Sequence, residues 1–124
     1  MRWMTLCCAT ALVLFVSLAS ASPPLNADPK LAPWFESLKE PGSATGCCGV
    51  ADCRITDWRI GKDGYEALVD DKQWPSDGFN EVKTHWIKIP DSVVLHKNNP
   101  TQGAVLCYNR YADEAYCFVP GPSS

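Results

Sequence analysis

Five cysteines carry most of the chemical potential of this chain. Cys47, Cys48 and Cys53 fall in the short segment Cys47-Cys48-Gly49-Val50-Ala51-Asp52-Cys53, and Cys107 and Cys117 follow near the C-terminus. Three thiols so close together could chelate a soft metal, support thiol exchange, or serve as halves of structural bridges. A metal set would draw on Cys47, Cys48, Cys53 and His85. No Cys-x-x-Cys pair is present, however, and His85 and His96 are the only imidazoles, so a four-ligand site depends on a meeting in space. A thioredoxin-like oxidoreductase is disfavoured because its motif and a parallel βαβ pattern are both absent. A Cys thiolate with His85 as base and Asp52 orienting it is conceivable, but nothing in the spacing sets their distance. The simplest reading is two structural disulfides with one thiol left over, no catalytic residue and no cofactor.

The pairing has one geometric guide. Directly opposed residues on antiparallel strands have Cα atoms about 4.5 to 5.5 Å apart, within the range a disulfide accepts. If Cys107 faces Cys117 across a C-terminal hairpin, that register predicts a Cys107–Cys117 bridge. The competitor is a long-range staple from Cys47 or Cys48 to Cys107 or Cys117. The unpaired thiol is expected at Cys47 or Cys48.

The elements that must position these residues are mostly strands. Gly61-Lys62-Asp63-Gly64 is a turn between Arg54–Ile60 and Tyr65–Asp70. Pairing Ile60 with Tyr65 sets Arg59 against Glu66, Trp58 against Ala67 and Thr56 against Val69, joining a charge pair to an aromatic-over-small pair. A second extended stretch runs from Val82 to Ile89 and stops at Pro90. The last unit pairs Ala104–Tyr108 with Tyr116–Val119, setting Val105 against Val119, Leu106 against Phe118 and Tyr108 against Tyr116. Both faces of that pair are apolar, which marks a central, covered position. Before the cysteines, Asp28-Pro29 reads as an N-cap with proline in the first turn. Leu31, Trp34, Phe35 and Leu38 then recur at helical spacing, and Glu40-Pro41-Gly42 ends the segment. The fold class is mainly β to α+β: a small antiparallel sheet or partly closed barrel with one short N-terminal helix.

The chain has 124 residues, 46% hydrophobic and 20% charged, enough for one core and too few for two. Arg2, the apolar run Leu6–Leu18 and Ala19-Ser20-Ala21 read as a secretory signal peptide, since a spanning helix needs roughly twenty residues. Residues 1–21 would then be removed, with Cys7 and Cys8, leaving no membrane span in the mature form. A leader follows at 22–29, a single disulfide-supported domain at 30–120, and a tail at 121–124. Export explains the cysteines, because disulfides persist in oxidising compartments. A periplasmic or secreted location is expected.

A formal net charge of −3 and the absence of a Lys/Arg cluster argue against nucleic acid as a partner. Asp70, Asp71 and Asp77 lack calcium-loop spacing. Core packing is the simpler role for the tryptophans; Trp34 and Trp58 fall on apolar faces, which leaves Trp74, between Gln73 and Pro75, as the candidate exposed ring and ligand contact.

The arrangement Trp34-Phe35, Cys47-Cys48-x4-Cys53, Trp86, Pro90, Val105-Leu106-Cys107 and Cys117-Phe118-Val119-Pro120 resembles small exported bacterial proteins with a signal peptide and a Cys-Cys-x4-Cys motif, a group of uncharacterised role. The resemblance covers most of the mature chain and brings no activity, fold or ligand with it. The function expected from the sequence is a non-enzymatic binding or envelope-associated structural module, whose partner is a protein or cell-envelope component. The alternative is a cysteine-dependent redox or metal-handling protein using Cys47, Cys48 and Cys53.

Overall fold

The computed structural model describes residues 23–122. The segment read as a signal peptide, with Cys7 and Cys8, lies outside the described residues.

Asp28 accepts the Lys30 N–H at 2.9 Å and caps a 3-10 turn at Pro29–Leu31, which runs into α1 (Ala32–Glu36). The capping role expected of Asp28 is thus realised, with proline in the first turn where no N–H is needed. A helical turn that spacing alone did not suggest, α2 (Cys47–Val50), follows a loop. Six strands complete the fold: β1 (Asp52–Thr56), β2 (Trp58–Gly61), β3 (Gly64–Val69), β4 (His85–Lys88), β5 (Ala104–Asn109) and β6 (Glu114–Val119).

The strands form two antiparallel three-stranded sheets, ordered β1-β5-β6 and β2-β3-β4. The central hairpin has the expected register, with Ile60 against Tyr65, Arg59 against Glu66 and Trp58 against Ala67. Arg59 Nε donates to Glu66 at 2.7 Å, and its guanidinium lies 4.0 Å from the Trp86 ring. Beyond Trp58 the expected pairing of Thr56 with Val69 fails. The strand divides at Asp57, where Leu68 N–H donates to the Asp57 carbonyl and the Thr56 hydroxyl to the Leu68 carbonyl. Thr56 is then free to pair with Ala104 of β5. One continuous stretch thereby serves as an edge strand of each sheet.

The second extended stretch is shorter than Val82–Ile89. Its partner β3 ends at Val69, where Asp70 turns the chain by accepting the Lys72 and Gln73 N–H groups at 3.0 and 2.8 Å. Only His85–Lys88 finds a ladder. In the C-terminal hairpin, Val105, Leu106 and Cys107 oppose Val119, Phe118 and Cys117 as expected, but a bulge then sets Tyr108 against Ala115 rather than Tyr116. A parallel bridge joins Val94 to Phe118, yet the two sheets do not close into a barrel.

Both faces of β5 and β6 are covered. Ala104, Leu106, Tyr108 and Phe118 pack with Ala67, Val69 and Ile87 of the second sheet. Val105, Cys107, Cys117 and Val119 pack with Phe35, Leu38 and Cys47. Fully burying side chains such as Phe35 or Leu38 contributes about 1.5 to 3 kcal/mol each, and this is what holds the N-terminal segment on the sheet. At both ends some of the described residues still pack against the domain. Pro24 is buried, and the Asn26 side chain bonds Ile55 and Gln73. A Cβ on Gly121 would come 2.5 Å from Trp58 Nε1 and 2.7 Å from the Gly103 carbonyl carbon, so the chain is still packed there.

Candidate functional site

The first sheet sets three cysteines in a row: Cys53 on β1 opposes Cys107 on β5, which opposes Cys117 on β6. The middle sulfur can bond only one neighbour. Cys117 is taken by Cys47 from α2 (Cα–Cα 6.0 Å), and Cys107 bonds Cys53 (Cα–Cα 3.9 Å). The expected Cys107–Cys117 bridge is therefore corrected, and of the alternatives read from the sequence the long-range staple from Cys47 is the one that forms. Register alone could not choose, because Cys107 has a cysteine opposite it on both sides. What decides is that α2, packed beside β1 and α1, buries Cys47 in the same cluster as Cys117. Two disulfides in so small a domain fit an oxidising compartment.

Cys48 is the free thiol among the described residues. The Cys47–Cys117 staple and the backbone bonds from Cys47 N–H to Leu38 and from Ala51 N–H to Cys47 hold α2 in place. As a result Cys48 Sγ stands 2.7 Å from Cys53 Sγ. The sulfurs of Cys48, Cys53 and Cys107 lie within 4.8 Å of one another. Burial pushes the Cys48 thiol up to about 11, against the opposing pull of the Arg54 cation.

Cys48 lines two openings. A cleft of about 380 Å³ is walled by Val50, Asp52, Asp77, Arg110 and Tyr111, and a smaller one of about 260 Å³ by Leu25, Ala51 and Arg54. In the larger, Arg110 donates to the Pro75 carbonyl at 2.6 Å and lies 3.7 Å from Asp52. The Tyr111 hydroxyl donates to Asp77, and together with the N–H groups of Asn80 and Phe79 it holds the Asp77 carboxyl down to about 2. The rim thus combines two carboxylates with exposed Val50 and Tyr111.

Neither other residue expected at a site lies here. Trp74 is fully buried, edge-on to Tyr108 at 5.4 Å, with its Nε1 donating to the Asp52 carbonyl at 3.3 Å. It is a core residue and not a ligand contact, because the Asp70 turn folds it back under β1. The metal set Cys47, Cys48, Cys53 and His85 is not assembled either: Cys47 is bonded to Cys117, and Cys107 replaces both it and His85 in the sulfur group. His85 begins β4 and faces Asp113, so the arrangement of His85 as base to a thiolate, with Asp52 orienting it, is not formed. The residues not anticipated are Arg110 and Tyr111, in the turn after β5, and Cys107, expected as a bridge partner, joins the sulfur group as well.

His85 makes a separate network. Its Nδ1 faces the Lys83 carbonyl and its Nε2 the Asp113 carboxylate at 2.9 Å. Both partners are acceptors, so both ring nitrogens must donate, which is the charged imidazolium. The Lys83 carbonyl and then Asp113 accordingly raise the His85 pKa above 6.5 against the effect of burial. Asp113 also accepts from the Tyr108 hydroxyl at 2.5 Å, which lowers its own pKa. A raised folded-state pKa means that His85 contributes its stability in full below about pH 6.5 and loses it as pH rises through the folded value. The pair is half exposed, so its contribution stays within about 1 kcal/mol. His85→Gln is expected to flatten the fall in stability between pH 6 and 8, read from urea midpoints. An unchanged slope would show that the imidazolium is not held in the fold.

Comparison with protein families, curated proteins and solved structures finds no match for this chain.

Proposed function

We propose that the protein is an exported thiol–disulfide exchange domain, periplasmic or secreted, in which Cys48 is the nucleophile and the Cys53–Cys107 disulfide its target. The observation that carries this reading is the placement of a free thiol 2.7 Å from a disulfide sulfur at the floor of an open cleft.

Attack of the Cys48 thiolate on Cys53 Sγ forms Cys48–Cys53, breaks Cys53–Cys107 and leaves the electron pair on Cys107. Cys48 releases its proton to the cleft, and Cys107, fully buried, takes one up. No oxidant is consumed. The resulting Cys48–Cys53 disulfide lies at the cleft, where an incoming dithiol partner can attack it. The partner leaves oxidised, and Cys48 and Cys53 remain as thiols.

The raised pKa does not stop the first step. With a pKa of about 11, only ~10⁻⁴ of Cys48 is thiolate at pH 7. Well-oriented groups react as if at ~10⁵ M or more, which leaves an effective ~10 M of thiolate, far above any millimolar thiol in solution. A high-pKa thiolate is also the stronger intrinsic nucleophile.

The oxidised protein should therefore exist as two isomers. Samples held at several pH values, acid-quenched and tagged in denaturant, are expected to carry the label on both Cys48 and Cys107. The rate of approach to that mixture should rise about tenfold per pH unit until pH approaches 11. Cys48→Ser should give no change of isomer. Label confined to Cys48 at every pH would overturn the exchange reading. A second reading, a non-enzymatic binding module for an envelope component, draws on the same open, polar cleft and would then be favoured, with Cys48 an inert wall residue.

A further inference from the structure

We infer that the reduced protein holds a soft metal cation on Cys48, Cys53 and Cys107. This deepens the exchange reading, since it rests on the Cys53–Cys107 bond being open to reduction. A dithiol reductant supplies two electrons, itself becoming a disulfide, and Cys53 and Cys107 become thiols. Three sulfurs then face one another across β1, β5 and α2.

One ion can reach all three. A metal about 2.3 Å from each of three sulfurs in a plane sets the sulfurs about 4 Å apart, so on reduction Cys53 and Cys107, now 2.05 Å apart, and Cys48 and Cys53, now 2.7 Å apart, open to that separation, which is still within the 4.8 Å limit of the group. The backbone keeps the three side chains adjacent: Cys53 and Cys107 are register partners, and Cys48 is pinned beside them by the Cys47–Cys117 staple. Binding releases the three thiol protons to solvent and forms three metal–sulfur bonds.

The donor set selects the metal. Thiolates favour soft cations, and structural zinc sites are almost always four-coordinate. No fourth His, Cys, Asp or Glu joins the group among the described residues. Cys53 and Cys107 are buried on the apolar side of the sheet, against Phe35 and Leu38. A three-coordinate Cu(I) ion fits such a site, whereas Zn(II) lacks its fourth ligand. Cys48, half exposed at the cleft, is the route of access.

Cu(I) added anaerobically to the full-length protein after dithiol reduction tests this. One equivalent is expected to survive desalting and to protect Cys48, Cys53 and Cys107 from alkylation together, leaving Cys47 and Cys117 either disulfide-bonded or fully alkylated. Cys48→Ser should weaken Cu(I) binding by more than the ~10- to 100-fold that loss of an outer-shell partner costs. The unreduced protein should retain none. Protection of any other set of cysteines, equal retention of Cu(I) by Cys48→Ser, or retention of Zn(II) as strong as that of Cu(I) would overturn the assignment. The isomer test uses oxidised protein without metal, so failure of one experiment does not entail failure of the other.

Discussion

Trp74→Ala is expected to lower the unfolding free energy by about 3 to 5 kcal/mol, the range for truncating a buried aromatic side chain. The ring is fully buried, and its removal empties a space between Tyr108, 72° from it in plane, and the Asp52 backbone, whose carbonyl loses its indole donor. Small domains are stable by only about 5 to 15 kcal/mol, so the variant should approach the limit of folding at 37 °C. Trp74→Phe, which keeps most of the apolar area and loses the N–H, should fall between it and wild type. Urea unfolding monitored by circular dichroism measures both. A loss below about 1 kcal/mol, the typical scale of a point mutation, would contradict the packing described.

Removing the long staple should cost a similar amount by a different route. The Cys47–Cys117 disulfide spans 70 residues, and the chain-entropy estimate for a loop of that length is about 4 kcal/mol. Cys47→Ala/Cys117→Ala should therefore melt roughly 15 to 30 °C lower. The Cys53–Cys107 disulfide spans 54 residues, and because the dependence is logarithmic its removal should differ by only about 0.2 kcal/mol. The two double variants are thus expected to be nearly equal in stability and unequal in chemistry. Without Cys47–Cys117, α2 loses its covalent tie to β6, and Cys48 should exchange with Cys53 more slowly in whatever fraction remains folded. Scanning calorimetry together with the labelling experiment separates the two effects. A variant lacking Cys47–Cys117 that melts within a few degrees of wild type would show that packing of Phe35 and Leu38 alone secures the N-terminal segment.

Much of the fold was legible in local pattern. The hairpin around Gly61–Gly64 could be registered residue by residue because charge and size complementarity point the same way at three successive pairs. The apolar character of both faces of the C-terminal strand pair is matched by burial of both faces of β5 and β6, although only β5 is central in its sheet and β6 forms an edge. The limits of the strands were harder to see. Nothing in Arg54–Ile60 shows that Asp57 hands the chain from one sheet to the other, since that depends on β5 competing with β3 for the edge of Thr56. Likewise, turn residues surround Trp74 and suggest a surface, and only the return of that turn beneath β1 buries the ring.

The cysteines show the same division most sharply. From the sequence alone came their number and grouping, two disulfides with a thiol to spare, and an unpaired residue at Cys47 or Cys48. These follow from counting the cysteines and from their grouping along the chain, which are local properties. The tertiary structure alone decided which sulfurs bond and which one is left facing a disulfide. Cys53, Cys107 and Cys117 stand abreast in one sheet, so any two neighbours could have joined. The helical turn beside β1 claims Cys117 through Cys47 and so leaves Cys107 to Cys53 and Cys48 near both. That choice is made by packing between segments far apart in the chain, which spacing does not encode.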